Sequence, residues 1–332
     1  MAICMRVPSE HETRNGGYLH LLEDGVSREK MVVTVEVKQH TRAGIERRDG
    51  IHRELLGALT LAARDHKNLV KRGLDEAAIT RGGYKSVPSS VSVHDVSARF
   101  KDQDMTGIPG FYKQDGSWKL NANDWHAGFL VPVRDIRGRI EGFQIRRAEV
   151  KTDEPRYVWL SSSNKNDGAS SGAPAHFRNP DRVGRTGQVI ITEGALKADT
   201  AEHLLGDRHC VIALAGVGSF REDFGRWLRE LMPDLRQAVI AFDADAASNP
   251  AVRHQLERLG ETLRSAGLDV RELRWEERQG KGIDDYLLND PGHRSGVEDF
   301  LKESLASLSQ GEVSVSNPVS RDRPRSQQEI AL

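Results

Sequence analysis

The 332-residue chain carries 48 Lys and Arg against 49 Asp and Glu, a net charge of −1. Its overall field therefore gives no pull toward nucleic acid, and any such contact requires a local basic patch. Two distant cysteines, Cys4 and Cys210, exclude a disulfide framework and a paired-cysteine zinc site, so no zinc is expected. The longest apolar runs, about six residues, are too short to cross a bilayer, and the N-terminus lacks a signal-peptide pattern. A cytoplasmic protein without a membrane partner is expected.

Residues 1–50 show no consistent period, although MVVTVEVKQ (31–39) alternates like a strand. From 52 to 73, Leu55, Leu56, Leu59, Leu61 and Leu69 recur at helical spacing up to a glycine, and a second short helix is expected over 74–83. Residues 86–106 read as a loop or linker, and GIPGFY (107–112) as the turn-rich entry to a new unit. Three short strands are expected between 126 and 160, followed by a polar loop without core-forming capacity at 161–175.

From 188 the pattern becomes strand–helix alternation. QVIIT (188–192), CVIAL (210–214) and QAVIAF (237–242) precede helices at about 195–206, 221–232 and 250–266, and LDVRELRW (268–275) is a fourth strand. Continuous apolar strands joined by helical crossovers imply an α/β fold, a parallel sheet covered on both faces. The expected division is an N-terminal segment 1–50, a smaller α+β subdomain 51–183, the parallel-sheet domain 184–307, and a disordered tail 308–332 rich in Ser, Arg, Asp and Pro.

Functional groups of an open parallel sheet gather beyond the carboxyl ends of its strands. Glu193 follows the first strand, and Asp243 and Asp245 follow the third. Adjacent strands would bring three carboxylates to one edge, where mutual repulsion calls for a cation; oxygen ligands of this kind suit Mg²⁺ or Mn²⁺. The plainer alternative for Asp-x-Asp is a turn with a helix N-cap.

Together, ITEGALKAD (191–199) and VIAFDADAA (239–247) resemble the Toprim fold shared by DnaG-type primases, topoisomerases and some nucleases. LVKRGLDEAAI (69–79), GFLVPVRDIRGRIEGFQIRR (128–147), RYVWLSSS (156–163) and GKGIDDYLL (280–288) are similar, in the same order, to segments of bacterial primase catalytic cores. The resemblance implies a Toprim-type Rossmann-like sheet preceded by a primase-like subdomain. It also implies a metal-dependent nucleotidyltransferase making short primers on single-stranded DNA from NTPs or dNTPs. Glu193, Asp243, Asp245 and Asp284 would hold Mg²⁺ or Mn²⁺. Two positions depart from the pattern: Lys197 stands where the family has an aspartate, as does Gly282, which puts a two-metal site in doubt. The zinc ribbon and helicase-binding domain of bacterial primases are not expected, so the chain resembles a bare core of the kind found in phages, plasmids and other mobile elements, with a replicative helicase as a partner.

The strip RDIRGRIEGFQIRR (134–147) holds Arg134, Arg137, Arg139, Arg146 and Arg147. In the primase-like reading it grips template or nucleotide phosphates; otherwise it is a solvated sheet edge. Phe143, Tyr157 and Trp159 are either stacking platforms or core. Lys197 reads as neutralising a phosphate in place of a second metal or as an ordinary surface helix lysine, and Lys281 as a phosphate contact or a surface lysine. AGVGSF (215–220) is a glycine-rich loop that would let a backbone approach the site; His203, His209 and His254 read as structural. The rival readings are a Toprim phosphodiesterase and a catalytically weak nucleic-acid-binding module working beside a helicase.

Overall fold

The computed structural model describes residues 38–310 apart from 153 and 248, together with two short paired strands, β1 (Ala2–Cys4) and β2 (Tyr18–His20). The side chains of those strands and of residues 245, 247, 309 and 310 lie outside the description. So do most of the expected strand at 31–39 and the tail from 311 onward.

After β3 (Gln39–His40) come α1 (Ile45–Gly57) and α2 (Ala63–Lys71), where the leucine spacing predicts one helix. The break has a hydrogen-bonding cause. Thr60 accepts the Ser86 amide at 2.9 Å, and the Ala62 amide donates to Ser86 Oγ at 2.9 Å, so the linker pairs with the chain at β4 (Lys85–Ser86). Between them, α3 (Glu76–Gly82) is capped by Asp75, which accepts the Ala78 amide, and closed by Gly83 at φ 73°.

The expected linker 86–106 is instead part of the core. It contains α4 (Val93–Ala98), and Phe100 and Met105 are fully buried. The hairpin of β5 (Phe111–Gln114) and β6 (Ser117–Leu120) follows. The three strands expected between 126 and 160 are present as β7 (Gly128–Arg134), β8 (Ile140–Arg147) and β9 (Tyr157–Trp159), forming an antiparallel sheet in the order β4-β7-β8-β9. One face, with Leu130, Phe143 and Ile145, packs on Leu55 of α1, Phe100 and Phe111. The other, with Phe129, Val131 and Val133, packs on Leu69, Ile79 and Tyr84, and on Ala195 and Leu196 from the second half of the chain.

The polar stretch 161–175 is also drawn inward. β10 (Gly168–Ala169) pairs with β3, Ala169 is fully buried, and Ser162 Oγ accepts the Ala169 amide at 3.0 Å.

The second half is the expected parallel sheet. β12 (Gln188–Glu193), β13 (Cys210–Leu214), β14 (Gln237–Ile240) and β15 (Asp269–Glu272) lie in the order β13-β12-β14-β15, all parallel. An unexpected antiparallel strand, β11 (His176–Arg178), adds to β13, and α5 (Val183–Thr186) leads into the sheet. α7 (Phe224–Leu231) and α8 (Pro250–Ser265) cover one face. The other face is covered by α6 (Ala195–Leu204), α9 (Ile283–Asn289) and α10 (Pro291–Gln310), the last not anticipated. No described helix is long and apolar enough to cross a membrane.

Candidate active site at the junction of the two subdomains

β12 and β14 are neighbours, with Ile191 opposite Ile240. Their ends therefore carry Glu193 and Asp243 to the same sheet edge. Gly194, at φ 85° and ψ 130°, turns the chain from β12 into α6. No atom would obstruct a side chain there, so the backbone conformation is what requires glycine. The first turn of α6 is tied to the other subdomain: Gln144 Oε1 on β8 accepts the Ala195 amide at 3.3 Å.

Lys197, one turn into α6, reaches back over the edge and its ammonium pairs with Asp243 Oδ1. Burial pulls the lysine down, but Asp243, Glu193 and Asp284 outweigh it and hold it above the usual lysine range, hence charged. Asp243 leads into the turn Ala244–Ala247, whose Ala244 amide donates to the Lys281 carbonyl at 2.8 Å. This contact sets the loop before α9 beside the aspartate turn. Asn249, not an aspartate of the pair, caps α8 by accepting the Ala251 and Val252 amides. The side chain of Asp245 lies outside the described residues.

Asp284, on α9, is buried, and its Oδ2 meets Arg72 Nη1 at 2.8 Å. Its Oδ1 has no hydrogen-bond partner. Burial and Asp285 push this carboxyl above its usual range against the pull of Arg72 and Lys197. Arg72 caps α2, in the other subdomain. Gly73, at φ 89°, makes the turn possible where an added Cβ would sit 2.8 Å from Leu288 Cδ1.

Arg146 on β8 faces the same junction. Its guanidinium lies 5.7 Å from the Phe129 ring centre, and its buried Nε has no partner. Burial holds it below the usual arginine range; Tyr157 opposes this, and Arg72 adds to it. Two guanidiniums and an ammonium thus converge with Glu193, Asp243 and Asp284, an arrangement suited to a polyphosphate or a nucleic-acid backbone.

Three of the other four arginines of the basic strip, Arg134, Arg139 and Arg147, are committed to the protein. Arg147, 4% exposed, points to the opposite face of β8 and bonds the Trp125 carbonyl at 2.9 Å and Glu154 at 2.7 Å. Arg134 donates to the carbonyls of Gly82 and Gly138. Arg139 is paired with Asp135 and Glu46. Arg137 and Arg139 lie in the turn between β7 and β8, not on a strand, and Arg137 is exposed there. Lys281 is exposed near the junction. Phe143 is core, whereas Tyr157 and Trp159 are only half-buried on the junction face. His209 pairs with Glu298, and His254 is exposed.

Among the described residues, no group of three or more His, Cys, Asp or Glu side chains could hold a metal ion. Three of the carboxylates expected to form one, Glu193, Asp243 and Asp284, act on the Lys197 ammonium instead. The described residues therefore do not make a preassembled seat for Mg²⁺ or Mn²⁺.

A separate cleft of about 860 Å³ opens between the β7–β8 turn and the loop 215–222, floored by Phe177, Phe224 and Trp227 and rimmed by Arg139 and Arg258. The glycine-rich loop expected near the carboxylates lines this cleft through Gly218 and Ser219, while Glu193, Asp243 and Asp284 do not.

Arg72 and Gln144 were not legible as site residues. Both lie inside stretches that resemble primases, but only the meeting of the subdomains gives them partners.

Residues 185–294 match a family described as a domain of unknown function, DUF3854. No curated protein matches the chain. Among solved structures, the chain is similar to the zinc-binding and RNA polymerase domains of the Aquifex aeolicus primase, with a TM-score of 0.59 and 16% identity over 79% of this chain and 62% of that one. It is also similar to the RNA polymerase domain of Mycobacterium tuberculosis primase DnaG, with a TM-score of 0.58 and 18% identity over 80% and 88% of the two chains. A DnaG primase catalytic domain bound to single-stranded DNA gives 0.57 and 17% over 80% and 82%. The fold is that of primase catalytic cores.

Proposed function

We propose that the chain is a DNA-primase-type nucleotidyltransferase, making short primers on single-stranded DNA in a phage, plasmid or other mobile element. The reading is supported above all by the convergence of Arg72 and Arg146 from one subdomain on Glu193, Lys197, Asp243 and Asp284 from the other. In the reaction a 3′-hydroxyl attacks the α-phosphate of an incoming nucleotide and pyrophosphate leaves. Fixed cations aimed at the phosphates stabilise the charge that develops. Arg146, with its unsatisfied Nε beside Arg72, is assigned to the phosphates. Tyr157 and Trp159, half-buried on the same face, would stack on a base. The nucleotide enters as its complex with a divalent ion, and a replicative helicase supplies unwound template.

One observation favours a second reading, a catalytically weak module that binds nucleic acid beside a helicase: Asp243 is already neutralised by Lys197. The discriminating experiment incubates single-stranded DNA with labelled NTPs or dNTPs and Mg²⁺ or Mn²⁺. Wild type should yield short labelled products, while Asp243→Asn and Arg146→Ala should each lose at least 100-fold, the order expected for a lost transition-state contact. Intact, bound DNA without product would leave the binding module standing. Cleaved template would mean a phosphodiesterase.

A further inference from the structure

The two positions where the sequence departs from the expected acidic pattern touch each other. Gly282 has φ −100° and ψ 169°, an extended conformation open to any residue. Its missing side chain is therefore a matter of space. A Cβ at 282 would lie 2.6 Å from Asp284 Oδ1 and 3.1 Å from both Cδ and Cε of Lys197. The lysine stem lies against bare backbone, and that path carries its ammonium to Asp243, in reach of Glu193 and Asp284. An aspartate at 282 would have to extend through the same volume.

Charge gives the same answer. Glu193, Asp243 and Asp284 are three carboxylates, and Lys197 and Arg72 return two positive charges. Exchanging an aspartate at 197 for lysine shifts the local charge by two units, the charge of one divalent ion. A lysine with 19% of its side chain exposed, against an aspartate with 10%, is a seated counter-ion and not a solvated surface group.

We propose that Lys197 and Gly282 are a matched pair in which the ammonium, seated in the space that glycine leaves, serves as a built-in cation in place of one divalent ion. The wild-type site then binds at most one such ion. The part of this inference that concerns ions deepens the phosphoryl-transfer reading; the steric coupling stands apart from it.

Two measurements test it, and neither needs catalysis. The first counts Mn²⁺ bound to the intact chain by electron paramagnetic resonance. Wild type should take up no more than one ion, and Lys197→Asp/Gly282→Asp should take up one more. Two ions on wild type, or no gain on a double variant whose circular dichroism is native, would overturn the proposal. The second is a thermal-stability cycle. Gly282→Ala should lower the midpoint in wild type and lower it by less in the Lys197→Ala background, where only the approach to Asp284 remains. An equal loss in both backgrounds would show that the two residues do not share a seat. A failed primer assay would remove the enzymatic reading and leave both results intact.

Discussion

Two aspartates are buried where the subdomains meet, and they are treated in opposite ways. Asp199, 4% exposed, accepts the Tyr84 hydroxyl at 2.5 Å, pairs with His176 Nε2 at 3.0 Å and lies 3.1 Å from Arg178 Nε. Burial pushes its carboxyl up, but Arg178 and His176 more than reverse this, and it lies below its usual range. Asp284, 2% exposed, has Arg72 on one oxygen and nothing on the other, and it is displaced upward. A buried charge with both oxygens engaged fixes a structure, whereas one with an oxygen left unsatisfied has capacity for something that is not the protein. Asp199 locks Tyr84 of the first subdomain to β11 and α6 of the second. Asp284 keeps an oxygen in reserve beside the cations of the junction.

The contrast can be broken most severely at Asp199. Asp199→Ala should cost about 3–5 kcal/mol of unfolding free energy, because it strands Arg178, His176 and the Tyr84 hydroxyl in a dry interface. Urea denaturation measures this, and a loss under about 1 kcal/mol would mean that the network is dispensable. At Asp284 the order of effects should reverse. Asp284→Asn should change stability by no more than about 1 kcal/mol, since it removes a costly buried charge along with its bond to Arg72, yet it should abolish primer synthesis. A stability loss matching that of Asp199→Ala would erase the distinction.

A pH dependence is expected within the Asp199 network. Glu202 shares Arg178 with Asp199. Burial pushes its carboxyl up to about 7 against the pull of Arg178, with Asp207 adding to the rise. The folded protein therefore holds a proton there that the unfolded chain has released above about pH 4.5. Stability from this group is fully present below that pH and is lost as pH rises through about 7. Glu202→Gln should flatten thermal midpoints measured from pH 5 to 8; an unchanged slope would assign it to another group.

The apolar runs at 188–192, 210–214 and 237–242, with helical periods between them, determined the parallel sheet, because a strand covered on both faces has to be apolar along its length. That pattern also put Glu193 and Asp243 at the carboxyl ends of parallel strands, while the strand order made those two strands neighbours. Composition and spacing misjudged the loops. The stretches 86–106 and 161–175 look polar or irregular, yet a few residues such as Phe100, Met105 and Ala169 bury them. Alternation could not separate Arg146 from Arg147 either: a period of two assigns them to opposite faces of β8, but not which face meets the second subdomain.

Which arginine turns to the site, which aspartate keeps a free oxygen, and that Lys197 lies over Gly282 were all decided by tertiary structure. Each depends on chain segments brought together from far apart in sequence: Arg72 and Asp284 are 212 residues apart. Local pattern encodes what a segment must bury. The partner of a buried charge is set by the meeting of distant segments, and at this junction those partners make the site.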